Sequence, residues 1–249
     1  MTGVQTCALP IYLQIGRGET IEDTAKIISN FASALVVRTF KQSDVDDLGR
    51  YSSIPVLNAL TDDDHPTQLL ADWLTIRENF GKNISGRKFT YLGDGNNMAH
   101  AWLIMGAIMG AHVVVGTPGG KFAPKDSAIK TALEISKKSG ATIEVLTDPI
   151  AAAKDASVIY TDVWMSMGDP EETRVEKLKA LEPFSVTQKI MNQTSIDSIF
   201  MHCLPAHRGE EVSADVLDGP KSVVWREAFH RRTTIQAILF HLVRGELKG

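Results

Sequence analysis

The chain has 249 residues, 43% hydrophobic and 22% charged, with 26 Lys and Arg against 30 Asp and Glu for a formal charge of −4. That length suits two domains, and the charge balance argues against a broad basic face for nucleic acid while leaving room for a local anion pocket. No apolar run approaches the ~20 residues of a membrane span, and the two cysteines, Cys7 and Cys203, cannot build a disulfide framework, so a soluble α/β protein of a reducing, cytoplasmic compartment is expected.

Residues 1–12 lack the basic start and long apolar stretch of a signal peptide, and Pro10 interrupts any helix through them. Thr20-Ile21-Glu22-Asp23 then opens a helix whose acidic first turn suits the helix dipole. Residues 34–37 predict a short buried strand ending at Arg38. Residues 55–60 predict a second strand, running into Thr61-Asp62-Asp63-Asp64-His65-Pro66. A helix over 67–80 follows, with Leu70, Trp73, Leu74 and Arg77 spaced for one buried face. From Gly86 strands and helices alternate: strands at 88–92, 113–115, 143–146 and 158–161, helices at 96–109, 125–139 and 149–154. Two modest helices, strands at 198–202 and 222–224 and a last helix from about Glu227 complete the chain. Such alternation predicts a parallel sheet covered on both faces.

Polar residues fall repeatedly just past predicted strands, where open α/β sheets bind ligands. Gly93-Asp94-Gly95-Asn96-Asn97-Met98 lacks the third glycine of a dinucleotide loop and the acidic residue after the next strand, which argues against a nicotinamide cofactor. It reads either as a tight turn capped by Asn96 or as a site with Asn97 as ligand-binding amide. His65 and Gln68 lie three apart at a helix start and can face one anion or carbonyl, although a solvated loop explains them equally well. Asp162 with Ser166 is an acidic loop cap or a site for a cationic, amine-bearing ligand. In His202-Cys203-Leu204-Pro205 the thiol is either buried and inert or an acid/base group, and the Leu204-Pro205 bond is a candidate cis peptide. A zinc site would need further thiol or imidazole partners that the spacing does not supply. Arg231 and Arg232, placed early in the last helix where the dipole disfavours cations, are either a surface pair or, in Arg231, an anion or oxyanion binder.

Together, the segment 13–19, Val37-Arg38-Thr39-Phe40, His65-Pro66-Thr67-Gln68, Gly93-Asp94-Gly95-Asn96-Asn97, Asp162-Val163-Trp164-Met165-Ser166-Met167-Gly168 and His202-Cys203-Leu204-Pro205 resemble the ornithine branch of the carbamoyltransferase family from about Leu13 to the end. The resemblance implies two Rossmann-like parallel-sheet α/β domains, the first incomplete. A carbamoyl phosphate domain would cover 1–64, with helix 227–249 returning to it, and an ornithine domain 65–226. It implies carbamoyl transfer to the δ-amine of L-ornithine, giving L-citrulline and phosphate, without metal or redox cofactor, in a cytoplasmic trimer or multiple of it that engages neither nucleic acid nor membrane. Gln14, Arg38, His65, Gln68 and Arg231 would hold carbamoyl phosphate. Asn97, Asp162, Ser166 and Met167 would hold ornithine, and Cys203 with Leu204 would border the reacting carbon. Asp162 and Cys203 would orient the amine and accept its proton, and Arg38, His65 and Arg231 would stabilise the oxyanion. The family's Ser-x-Arg-Thr-Arg phosphate motif has no counterpart here. Residues 1–11 contain no arginine and look foreign to the family, so a truncated chain with impaired turnover is expected. Two other readings stay open: a non-catalytic amino-acid-binding fragment, and a carbamoyltransferase for putrescine or an acylated ornithine.

Overall fold

The computed structural model describes residues 18–84, 86–165 and 170–246. Gln14, Ser166 and Met167, expected in the site, lie outside them. The chain forms two compact units, one ending at Thr61 and resuming at Ala237, the other Asp62–Gln236. The early turns of the last helix thus belong with the second unit, whereas the expected boundaries gave them to the first.

In the first unit, α1 (Ile21–Ser29) begins where the Thr20 hydroxyl accepts the Asp23 N–H, a cap worth about 1 kcal/mol. Strands β1 (Leu35–Arg38) and β2 (Val56–Leu60) pair in parallel. Between them lies α2 (Gln42–Tyr51), which buries only Val45 and Leu48. Its sequence is too polar for an apolar stripe to announce it.

The second unit is built on five parallel strands in the order β5-β4-β3-β6-β7. They are β3 (Lys88–Leu92), β4 (His112–Gly116), β5 (Thr142–Leu146), β6 (Ala156–Thr161) and β7 (Ile199–His202). Successive side chains alternate between faces. Phe89, Tyr91, Val113, Val115, Val158, Tyr160 and Met201 pack on one side, beneath α3 (Pro66–Phe80), α4 (Asn97–Ile108) and α5 (Asp126–Ser139). Leu92, Val114, Ile159 and Phe200 pack on the other, against α6 (Pro149–Ala153), α8 (Gln188–Met191) and α9 (Ala214–Leu217). Between these, α7 (Arg174–Leu181) precedes α8 and contributes Leu181 to the interior. Trp102 stacks at a tilt on Tyr160 with ring centroids 4.8 Å apart, a contact worth about 1 kcal/mol beyond the area it buries. No helix among the described residues is long and apolar enough to cross a membrane.

Three sequence expectations change. The buried face of α3 is Leu69, Asp72, Trp73 and Ile76, with Leu74 36% exposed, because polar Gln68 and Asp72 turn inward and displace the apolar stripe. The strand expected at 222–224 is a single bridge, Phe200 to Ser222. The last helix, α10 (Val224–Val243), therefore starts earlier and places Arg231 about two turns in. At that depth the first-turn dipole penalty does not apply.

Candidate active site

Strand order reverses between β3 and β6, so their carboxyl ends flank a switch point of the kind where open sheets bind ligands. Gly93, at φ +147°, leaves β3 in a conformation glycine adopts readily. Asn96 then caps α4, its Oδ1 accepting the Met98 and Ala99 N–H groups. The same side chain donates from Nδ2 to Asp162 Oδ2 at 3.0 Å. Asn96 is thus both a cap and a site residue, a dual role that its sequence position does not announce. Asn97 follows, half-buried, as the first residue of α4.

Asp162, at the end of β6, is almost wholly buried. Its Oδ1 accepts the Val163 N–H at 2.7 Å and the Cys203 thiol at 2.9 Å. A carboxylate offers about four acceptor positions. Among the described residues three are taken, which leaves one on Oδ2 for an incoming N–H. Burial, together with the neighbouring Asp162 carboxylate, holds the Cys203 thiol well above its ordinary pKa. The thiol is a proton donor here, so of the two residues expected to accept the amine's proton, only Asp162 has an acceptor's geometry. Cys203 should accordingly resist alkylation at pH 7–8 in the folded protein. Peptide mass spectrometry after iodoacetamide checks this, and labelling as fast as in the unfolded chain would contradict it.

The turn after β7 is held from within. His202 Nδ1 accepts the Leu204 N–H at 2.8 Å, and its Nε2 lies 3.2 Å from buried Glu211. The Leu204-Pro205 bond is cis, and Leu204 sits at φ +58°, a region costly for a non-glycine residue. His207, Glu210 and Glu211 have ligand atoms within 4.8 Å of one another. However, Arg174 pairs with Glu210, while His202 and the His207 N–H engage Glu211.

A second buried group lies between α3, β7 and α10. Gln68 Nε2 donates to Asp72 Oδ1 at 2.8 Å and to Glu227 Oε1 at 3.0 Å. Gln68 Oε1 accepts from Arg231 Nη1, and Glu227 Oε2 accepts the His202 N–H at 3.0 Å. Arg231 Nε is buried with no hydrogen-bond partner among the described residues, an unmet donor on a cation. His65 is the N-cap residue of α3, 6% exposed. Arg38 ends β1 in the first unit, exposed to solvent.

Burial raises Asp72 to about 7. Its folded pKa thus exceeds the ordinary 3.8, and the folded state binds more protons than the unfolded one between those values. Stability should fall as pH rises from about 4 through about 7. Thermal midpoints from pH 5 to 8 check this against Asp72→Asn, whose curve should be flatter.

The aspartate/ornithine carbamoyltransferase family supplies two matching models, its carbamoyl-P binding domain over residues 2–78 and its Asp/Orn binding domain over 85–242. The first match reaches into residues 1–11, which the sequence motifs set apart from the family. A curated ornithine carbamoyltransferase of Anoxybacillus flavithermus is 48% identical over 93% of this chain and 73% of its own length. The solved structure of ornithine carbamoyltransferase from Pyrococcus furiosus superposes with a TM-score of 0.88 at 48% identity, covering 95% of this chain and 74% of that one. The Gloeobacter violaceus structure gives 0.83 at 40% identity, covering 90% and 75%.

Proposed function

The chain belongs to the aspartate/ornithine carbamoyltransferase family, and on that premise we propose that it transfers the carbamoyl group of carbamoyl phosphate to the δ-amine of L-ornithine at the strand ends of its second unit. The carrying observation is the open acceptor position on Asp162, a buried carboxylate otherwise saturated by Asn96, Val163 and Cys203. A buried carboxylate with one acceptor position to spare suits an amine that must be oriented and relieved of a proton.

The ornithine δ-amine, ordinarily protonated with a pKa near ~10, gives its ammonium proton to solvent and attacks as the free base. Its lone pair forms the C–N bond while the carbonyl π pair moves to oxygen. Asp162 takes the proton that the nitrogen sheds, with the Cys203 thiol holding the carboxylate in place. The tetrahedral oxyanion is met by Arg231, whose buried Nε lacks a partner among the described residues, together with His65, and the family resemblance gives Arg38 the same role. Removing one such donor typically costs ~3 kcal/mol in barrier. Collapse then breaks the bond to the phosphate oxygen, which leaves with its electron pair. Both Gln68 N–H groups are engaged by carboxyls, so this side chain meets the substrate through Oε1, as an acceptor for the carbamoyl NH2. Gln14 completes the phosphate side, Leu204 borders the reacting carbon, and Asn97, Ser166 and Met167 hold the amino-acid end of ornithine.

The second unit would serve ornithine and also supply His65, Gln68 and Arg231 to carbamoyl phosphate, in a cytoplasmic homotrimer that acts in arginine metabolism. A panel of amines tests the acceptor: kcat/KM for ornithine should exceed that for putrescine and for N-acetylornithine, and a preference for either of those would overturn the assignment.

A further inference from the structure

Beyond the groups that meet the substrates, the second unit buries two carboxyls side by side. Asp72 is fully buried on α3, and Glu227 is 1% exposed on α10. Two ionised carboxylates in contact out of water repel each other and lose hydration, a combination proteins avoid by retaining a proton. Both accept from the one Gln68 nitrogen, at 2.8 and 3.0 Å, and the second oxygen of Asp72 is buried with no donor among the described residues, so a hydrogen retained on one of the two relieves both. The groups facing the pair are Gln68 from α3, Tyr160 from β6, the His202 N–H from β7, the Cys203 thiol just past β7 and Arg231 from α10. Arg231 is the single cation among them, and a pair carrying one proton has one negative charge to match it.

The consequence is geometric. Gln68 places both its N–H bonds on the two carboxyls, which decides the orientation of its amide and turns Oε1 toward Arg231. Through its other oxygen, Glu227 holds the backbone N–H of His202, the residue before Cys203. One buried unit thereby fixes a glutamine, an arginine and the start of the cysteine turn, contributed by three elements far apart in sequence.

We propose that Asp72 and Glu227 share a single proton and act together as positioning residues, setting Gln68, Arg231 and the His202-Cys203 backbone in the geometry that receives carbamoyl phosphate. This rests on the reading of Gln68 and Arg231 as carbamoyl phosphate ligands. Neither carboxyl touches substrate. An amide in place of either carboxyl brings an N–H among these groups, so the amide of Gln68 is free to turn over and to withdraw Oε1 from Arg231.

Two measurements on the full chain test this. In infrared difference spectra at neutral pH, the wild type should show a protonated-carboxyl C=O band that Glu227→Gln removes, and a folded protein without that band overturns the shared proton. In steady-state kinetics, Asp72→Asn and Glu227→Gln should each raise KM for carbamoyl phosphate about tenfold, the value of one hydrogen bond to a charged group. KM for ornithine should stay within about twofold, a split that general loosening would not give. Gln68→Ala and Arg231→Ala separate the two levels. If they raise KM for carbamoyl phosphate while the carboxyl variants do not, the positioning role is wrong. If all four leave it unchanged, the ligand assignment itself fails and the positioning role falls with it.

Discussion

Asp162→Asn is expected to lower kcat for citrulline formation by about 10²–10⁴-fold, the range for removing a positioned acid/base group. Asparagine keeps the shape and can still accept the Val163 N–H and the Cys203 thiol through its oxygen. Its NH2 would then face the Asn96 Nδ2, a donor against a donor, at the place where Oδ2 now accepts. The free acceptor position for the amine disappears, and with it the negative charge that balances a cationic acceptor. Stability should change much less, by about 1–3 kcal/mol for the donor left unmet. Steady-state citrulline assays with a thermal melt on the same sample check this, and a drop of less than about tenfold in a folded variant would take the proton-accepting role away from Asp162.

Gly95→Ala is expected to destabilise the second unit by about 3 kcal/mol, a fall of about 6–12 °C in thermal midpoint. A Cβ on Gly95 would stand 2.3 Å from the carbonyl carbon of Ala123 and from the nitrogen of Pro124, and 2.5 Å from the Phe122 carbonyl oxygen. All three are backbone atoms that cannot swing aside. The Gly95 N–H also donates to that same Phe122 carbonyl at 2.8 Å, so pushing the loop away breaks the bond that holds it. Asn96 is the next residue, and its link to Asp162 should loosen too. Gly49→Ala, in α2 with nothing within 4 Å of the new Cβ, is the control and should stabilise by about 0.5–1 kcal/mol. Differential scanning calorimetry of both variants tests the pair, and equal midpoints would contradict the close approach at Gly95.

The parallel sheet and the ends of β3, β6 and β7 were legible because strand-helix alternation and polar residues past strands are local patterns. Asp162 and Cys203 were readable as candidates, yet the direction of the hydrogen bond between them depends on burial, which their own segments do not encode. Asn96 looked like a cap and is one; its second role needs β6 beside it. Asp72 and Glu227 are 155 positions apart, and each alone reads as an ordinary polar residue on a helix. Their pairing also explains the misplaced face of α3, since hydrophobic periodicity cannot register a helix that buries Gln68 and Asp72. The start of α10 was missed because Val223 and Val224 carry strand-like side chains, yet the segment makes a single bridge, at Ser222, and Val224 already begins the helix.

Transfer itself is the most direct measurement. With carbonyl-labelled [13C]carbamoyl phosphate and ornithine, the label should move into the ureido carbon of citrulline at a rate that depends on protein and ornithine and is abolished or nearly so by Asp162→Asn. A folded sample that leaves all the label in carbamoyl phosphate and its hydrolysis products, or that transfers it equally well with Asp162→Asn, would contradict the account.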